Sequence, residues 1–214
     1  MKLDGIKANF LGDSITAGSG TTDAATKPFH ALIAARHGMT ARNYGIGGTR
    51  ISRQYVCTTG YPIHDHDFCM RIEEMDKDAD LLVIFGGTND YGHGAAPFGE
   101  ASDRTHDTFI GACHHLFRRA LELYPDAKIV VMTPLHRCHE QAPSRCGHPL
   151  SDYVQVIRDV ASIYSLPVID LWSISGIQPE VDIIKEKYCP DGLHPNDLGH
   201  VKMADIIEAA LLSM

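Results

Sequence analysis

LLVIFGG, residues 81–87, is a run of five apolar residues that stops at a glycine pair. An apolar run of this length, without polar alternation, is typical of a strand buried on both faces, as in a parallel sheet covered by helices. The segment therefore predicts a β-strand with helices above and below it.

Apolar runs alternate with amphipathic segments on both sides of this strand. The sequence predicts further strands over 6–11, up to about 43, over 128–132 and over 167–170, and helices after Pro28 and over about 103–124, 150–164 and 196–213. Strand–helix alternation favours a parallel sheet with helices on both faces, and right-handed crossovers leave few topologies. Active sites of such sheets lie at the carboxyl ends of the strands.

Length and composition set limits on the function classes. The chain has 214 residues, 44% of them hydrophobic and 21% charged, which predicts one globular domain over 1–214. A net charge of −8 argues against a nucleic-acid partner. No apolar run has the length of a membrane-spanning helix, and the first residues lack a signal-peptide pattern. We therefore expect a cytoplasmic protein without stable membrane insertion.

Six cysteines and thirteen histidines raise the question of disulfides and metals. In a cytosolic chain the cysteines are expected to be free thiols; pairing of Cys57 with Cys69, or of Cys138 with Cys146, is the alternative for an exported protein. Two groups hold residue types that zinc prefers: His64, His66 and Cys69, and His136, Cys138, His139, Cys146 and His148. Their spacings match no standard zinc motif, which favours pocket walls over a metal site. We predict no metal and no cofactor.

Four short blocks carry the chemistry. They are Gly12-Asp13-Ser14, the N-x-G-x-G-G segment 43–48, Gly-Gly-Thr-Asn-Asp at 86–90, and Asp-Gly-Leu-His-Pro at 191–195. The first three follow predicted strands, and the last precedes the final helix. Together they supply a serine, two kinds of oxyanion donor, a histidine and a carboxylate, which is the set required for acyl transfer through a covalent serine intermediate.

The spacing within the blocks suits these roles. Asp191 and His194 are three residues apart, so one turn can place the carboxylate against Nδ1–H and leave Nε2 facing Ser14. Each block also has a purely structural interpretation. Ser14 is a common type of helix cap, Asp191-Gly192 is a turn signal, and the glycines and Asn89 are turn residues.

The four blocks in this order resemble the SGNH branch of the GDSL esterases and lipases. The resemblance implies a three-layer α/β/α sandwich with a flavodoxin-like five-stranded parallel sheet. It also implies Ser14, His194 and Asp191 as the catalytic triad, with the backbone N–H of Gly48 and the side-chain amide of Asn89 as oxyanion donors. Gly47 is the alternative to Gly48 if the loop register differs.

The expected activity is that of a serine esterase acting on a small-molecule ester. Loops 90–105 and 136–149 hold no continuous apolar stretch, which favours short acyl groups, such as O-acetyl on carbohydrate. Lysophospholipase or thioesterase activity on longer chains is the alternative, and an apolar wall would then come from Ile51, Tyr55, Val56, Tyr61 and Phe68. A non-catalytic binding module and a metal-dependent enzyme are the other classes considered. The sequence does not determine the oligomeric state.

Overall fold

Five parallel strands form the centre of the molecule, which a computed structural model describes over residues 1–56 and 62–214. The strands are β1 (Lys7–Gly12), β2 (Thr40–Gly45), β3 (Leu81–Phe85), β4 (Lys128–Met132) and β5 (Val168–Ile169). Their order in the sheet is β2-β1-β3-β4-β5, which is the flavodoxin-like order. The predicted α/β fold with a parallel sheet is confirmed.

Four longer helices lie where the sequence predicts them, and shorter ones fill the connections. The α-helices of the described residues are α1 (Ser14–Ala17), α2 (Phe29–His37), α3 (Phe68–Glu74), α4 (Thr88–His93), α5 (Phe109–Leu123), α6 (Leu150–Ile163), α7 (Leu171–Ile174), α8 (Asp182–Tyr188) and α9 (Asp197–Ser213), and a 3₁₀ turn spans Pro62–Asp65. The prediction for α5 began too early. Thr108 caps this helix by accepting a hydrogen bond from the backbone N–H of Gly111, so 103–107 belong to the preceding loop.

Each face of the sheet carries its own apolar core. Leu82 and Ile84 of β3 point to a cluster shared with α3, α5 and α6, whereas Val83 and Phe85 point to a cluster shared with α2 and α9. Alternate residues of one strand thus enter two cores, which is why β3 is apolar throughout. On the α9 side, the predicted core residues His200, Met203, Ile207 and Leu211 are all buried.

The strands end at one level, and this places the motif residues together. Gly12 at the end of β1 is in register with Gly45 of β2 and Phe85 of β3. Met132 of β4 is in turn in register with Phe85. The segments that follow these residues therefore emerge side by side at the carboxyl edge of the sheet. A search of the described helices for one that is long and apolar enough to span a bilayer gives none.

The cysteines of the described residues are free thiols, as predicted. They are Cys69, Cys113, Cys138, Cys146 and Cys189. The alternative pairing of Cys138 with Cys146 is therefore not formed. Cys57 lies outside the described residues.

Candidate active site

Two residues that are far apart in sequence meet at the edge of the sheet. Ser14 begins α1 directly after β1, and its Oγ lies 2.9 Å from Nε2 of His194, 180 residues later. Nδ1 of His194 lies 2.7 Å from Oδ2 of Asp191. A hydroxyl, an imidazole and a carboxylate joined in this order form the arrangement of a nucleophile, its general base and the group that orients the base.

Asp191 is held by its own loop. Its Oδ1 accepts hydrogen bonds from the backbone N–H groups of Leu193 at 2.8 Å and His194 at 2.7 Å. Partial burial alone would raise the pKa of Asp191, but these hydrogen bonds and the contact with the imidazole outweigh it, so the pKa lies below its ordinary value. The ionised carboxylate holds Nδ1–H of His194, which leaves Nε2 to accept a proton from Ser14.

The loop that carries His194 is fixed against the loop after α1. Thr22 donates from its backbone N–H (2.8 Å) and its hydroxyl (2.6 Å) to the carboxylate of Asp197, the first residue of α9. A Cβ added to Gly20 would lie 2.5 Å from the carbonyl oxygen of Pro195, so this close approach requires glycine. Helix α9 begins at Asp197, two residues after Pro195, because Asn196 caps it.

Asp13 adds a second, buried carboxylate beside the serine. Its Oδ1 accepts a hydrogen bond from the N–H of Ile15 at 3.0 Å, which caps α1. Burial raises the pKa of Asp13 to about 6, although the Ile15 hydrogen bond and the charge of His194 favour the ionised form. When it is ionised, Asp13 places a second negative charge near the imidazole of His194.

The predicted oxyanion donors line the same pocket as the serine. This pocket has a volume of about 350 Å³, and it is lined by Ser14, Ser19, Gly47, Gly48, Asn89, Gly92, His93, Arg137, Leu193 and His194. Gly48 has a positive φ of 76° in the turn after β2, a conformation that favours glycine. Asn89 lies in the first turn of α4 and is 5% exposed. The structure thus brings four of the five predicted site residues into one pocket, with Asp191 behind His194.

The orientation of the Asn89 amide is fixed by three neighbours. Its Nδ2 donates to the carbonyl of Thr49 at 3.0 Å, and its Oδ1 lies 3.2 Å from Nε2 of His93. Arg50 donates from Nη1 to Nδ1 of His93 at 3.0 Å, so the ring proton of His93 lies on Nε2 and is donated to Asn89. The second N–H of the amide is then available to the pocket. Nothing in the local sequence around His93 indicates this relay, because Arg50 is distant in the chain.

Two further residues, Asp90 and Arg71, hold the loop that carries Gly48. Asp90 accepts from the backbone N–H groups of Ile51 and Ser52, each at 2.9 Å. The buried guanidinium of Arg71 donates to the carbonyls of Gly12 at 2.9 Å and Tyr44 at 2.8 Å. Asp90 could have been found from its place beside Asn89, whereas nothing in the sequence around Arg71 indicates its role.

Several residues around the ends of β3 and β4 do not line the pocket. Met132 and Leu135 are in the core, because they continue the apolar face of β4. Tyr91 is buried and donates from its hydroxyl to the carbonyl of His139 at 2.6 Å. His136 pairs with Glu140, with 2.8 Å between Nδ1 and Oε1. The sequence could predict burial of the apolar residues but not the side to which they point.

Several described members of the two candidate zinc groups contact other residues. His148 pairs with Asp152, and the thiol of Cys146 faces the carbonyl of Ala96 at 3.2 Å. Cys69 lies near Asp67 and His106. In the described part of the chain, these three form the one cluster of possible metal ligands whose ligand atoms all lie within 4.8 Å of one another. Burial raises the pKa of Cys69 well above its ordinary value, which favours the thiol over the thiolate that binds metals.

Comparison with known proteins gives consistent matches over almost the whole chain. The model of the GDSL-like lipase/acylhydrolase family matches residues 10–202. An acetylxylan esterase from Xylanibacter ruminicola is 25% identical over 98% of this chain, which spans 44% of the length of that protein. A GDSL lipase from Mycobacterium tuberculosis is 26% identical, with 95% of this chain and 80% of the lipase covered. A solved structure from Lactobacillus plantarum is 28% identical, with a TM-score of 0.86 and 98% of each chain covered.

Proposed function

The chain belongs to the GDSL-like lipase/acylhydrolase family, and from this premise we propose that it is a serine esterase that removes short acyl groups, such as acetyl, from carbohydrate hydroxyls. The observation that carries the proposal is the continuous hydrogen-bond chain from Ser14 through His194 to Asp191. Ser14, at one end of these hydrogen bonds, lines a pocket that Gly48 and Asn89 also line. Nucleophile, base and oxyanion donors are the parts that acyl transfer requires.

The proposed reaction has two halves that use the same residues. In the first, Ser14 Oγ attacks the ester carbonyl while Nε2 of His194 takes the serine proton. The N–H of Gly48 and the Asn89 amide stabilise the resulting oxyanion, and His194 then protonates the departing alcohol. In the second half, His194 takes a proton from water as the water oxygen attacks the acyl-serine. His194 then returns the proton to Ser14 Oγ as the bond from Oγ to the acyl carbon breaks, which releases the acid and the free serine.

The preference for short acyl groups is supported by the position of the apolar residues. Ile51 and Phe68, two of the residues that could have formed a wall for a fatty chain, are buried in the core cluster beside α3. Tyr61 lies outside the described residues. A volume of about 350 Å³ for the pocket is near the lower end of the roughly 300–1,000 Å³ that is usual for ligand pockets. The similarity to an acetylxylan esterase supports acetyl esters of carbohydrate.

An acyl-length series tests the substrate class. We expect kcat/KM for p-nitrophenyl esters to be highest between acetyl and butyryl and to fall for longer chains. Among the described residues that line the pocket, Leu193 is the one large aliphatic side chain, so added CH₂ groups would gain little of the about 0.8 kcal/mol that each gains when buried. Acetylated xylose measured alongside gives the value for a sugar ester. A rise in kcat/KM that continues beyond octanoyl would contradict the short-acyl proposal and favour a lysophospholipase or thioesterase.

The oxyanion role of Asn89 gives a second expected result. Asn89→Ala should lower kcat by roughly 10²–10³, because one of several oxyanion donors is lost while Gly48 remains. The variant also loses the hydrogen bond to Thr49, so its Tm is recorded alongside and kinetics are measured well below it. A raised KM with unchanged kcat would instead mean that Asn89 binds substrate and transition state equally.

A further inference from the structure

One side chain in the pocket, Arg137, carries a charge that the reaction above does not use. The ten described residues that line the pocket include no lysine, aspartate or glutamate, and Arg137 is the one arginine among them. A fixed positive charge beside the nucleophile acts on any charged group of the substrate, and its effect grows as water is excluded from the pocket.

The guanidinium of Arg137 has hydrogen-bond partners but, over 1–56 and 62–214, no carboxylate partner. Its Nη1 donates to the carbonyl oxygen of Thr88 at 3.2 Å and to the Thr88 hydroxyl at 3.3 Å, and its Cζ lies 5.5 Å from the centre of the Tyr91 ring. Its Nε is buried without a hydrogen-bond partner in the same residues. The carboxylates of Asp13 and Asp191 act on Arg137 only through space, and Asp191 is already bonded to His194.

The surroundings favour an anionic partner. The guanidinium is poorly solvated because it is partly buried, with Nε inaccessible to water, and this burial lowers the pKa of Arg137. A guanidinium nevertheless stays protonated at neutral pH. An incoming carboxylate would replace the lost hydration with charge-assisted hydrogen bonds to the planar donor groups.

Gly92 places the guanidinium on the pocket wall. A Cβ added to Gly92 would lie 2.8 Å from Nη1 of Arg137 and 3.6 Å from Cζ and Nη2. The guanidinium therefore packs against the backbone of α4 at Gly92, and both residues line the pocket. Any larger residue at position 92 would displace it.

We propose that Arg137 is an anion subsite, and that the physiological substrate is an ester whose alcohol part carries a carboxylate. The inference rests on the proposed esterase function. It assigns the charge to the alcohol because a short acyl group such as acetyl has no further substituent to carry one. An O-acetylated sugar acid has this chemistry.

Two esters that share an acetyl group, one with an anionic and one with a neutral alcohol part, test the subsite. We compare kcat/KM for 4-acetoxybenzoate and 4-acetoxybenzamide, and repeat the comparison with the 3-substituted pair. Each value is divided by the rate of hydroxide-catalysed hydrolysis, because the leaving phenols differ in acidity. The wild-type protein should prefer the carboxylate of at least one pair by about tenfold, the size expected of a charge-assisted hydrogen bond. The preference should fall to about one in Arg137→Gln and to an intermediate value in Arg137→Lys, which keeps the charge without the planar fork.

Two further variants make the result specific to the site. Arg118→Gln removes the same charge from an exposed position on α5, where the arginine pairs with Glu122, and it should keep the wild-type ratio. Gly92→Ala displaces the guanidinium without removing it, and should lower the ratio even if Arg137→Gln fails to fold. A wild-type ratio near one for both pairs, or a ratio that persists in Arg137→Gln and Gly92→Ala, would overturn the proposal.

A binding measurement separates failure of the subsite from failure of the esterase function. If neither ester is hydrolysed, the esterase proposal fails, and calorimetric titration with 4-hydroxybenzoate and 4-hydroxybenzamide still tests the subsite. Binding of the carboxylate alone, lost in Arg137→Gln, supports an anion site. Equal binding of both compounds, or binding of neither, overturns it.

Discussion

Replacing Ser14 with alanine is expected to lower kcat for ester hydrolysis by roughly 10⁴–10⁶, the loss found when a triad enzyme is deprived of its nucleophile. Ser14 Oγ is the atom that faces Nε2 of His194, at 2.9 Å, and no other hydroxyl of the described residues is hydrogen-bonded to that nitrogen. Residual turnover over water would come from the oxyanion donors and from substrate binding. The fold should be unchanged, because only the hydroxyl oxygen is removed.

Covalent labelling checks the assignment independently of turnover. After treatment with a fluorophosphonate, intact mass should show one adduct, and peptide mapping should place it on Ser14. Ser162→Ala, a change at an exposed serine on α6, is the matched control and should label and turn over like the wild type. An adduct on another residue, or wild-type turnover by Ser14→Ala, would rule out Ser14 as the nucleophile.

Replacing His194 with alanine should cost about as much as replacing Ser14, because a serine hydroxyl without a base is a poor nucleophile. The two residues act as one unit, so Ser14→Ala combined with His194→Ala should be no slower than either single variant. This is tested by measuring kcat for the two single variants and the double variant with one ester, each value corrected for the uncatalysed rate. Losses that multiply in the double variant would mean that the two residues act independently.

Asp13→Asn identifies the group behind the pH dependence of kcat/KM. For the wild type, kcat/KM should fall on acidification, because a protonated His194 cannot accept the serine proton. Asp13, whose pKa burial raises to about 6, is a second ionisable group close to the serine. Asp13→Asn removes that ionisation while keeping an oxygen to accept from Ile15, so an acid limb that survives in Asp13→Asn belongs to His194. His200 does not interfere near neutrality, since burial lowers its pKa to about 4.

Local sequence determined the strands and the residues proposed for catalysis. Runs such as 81–85 specify a strand because every side chain of a central parallel strand enters a core, and β3 has the predicted bounds. Ser14, Asn89 and His194 were found because each lies next to a strand end or helix start that short-range patterns define. The Asp191–His194 contact was predictable because it spans only three residues.

The shortest helices could not be predicted from the spacing of apolar residues. Helices α1 and α7 have four residues each, about one turn, which is too short for a hydrophobic period to appear. Tertiary neighbours and caps stabilise them instead: Asp13 accepts a hydrogen bond from the backbone N–H of Ile15 in α1, and the Thr133 hydroxyl accepts one from the backbone N–H of Trp172 in α7.

Only the tertiary structure decided how the site is supported and what charge it presents. The relay from Arg50 through His93 to Asn89 and the placement of Arg137 over Gly92 both join residues more than 40 positions apart in sequence. Residue type predicts that an apolar side chain is buried and that an arginine is hydrogen-bonded. It does not predict where the apolar side chain packs or which residue the arginine contacts. That choice depends on which strand ends the sheet order brings together, and hence on the packing of the whole chain.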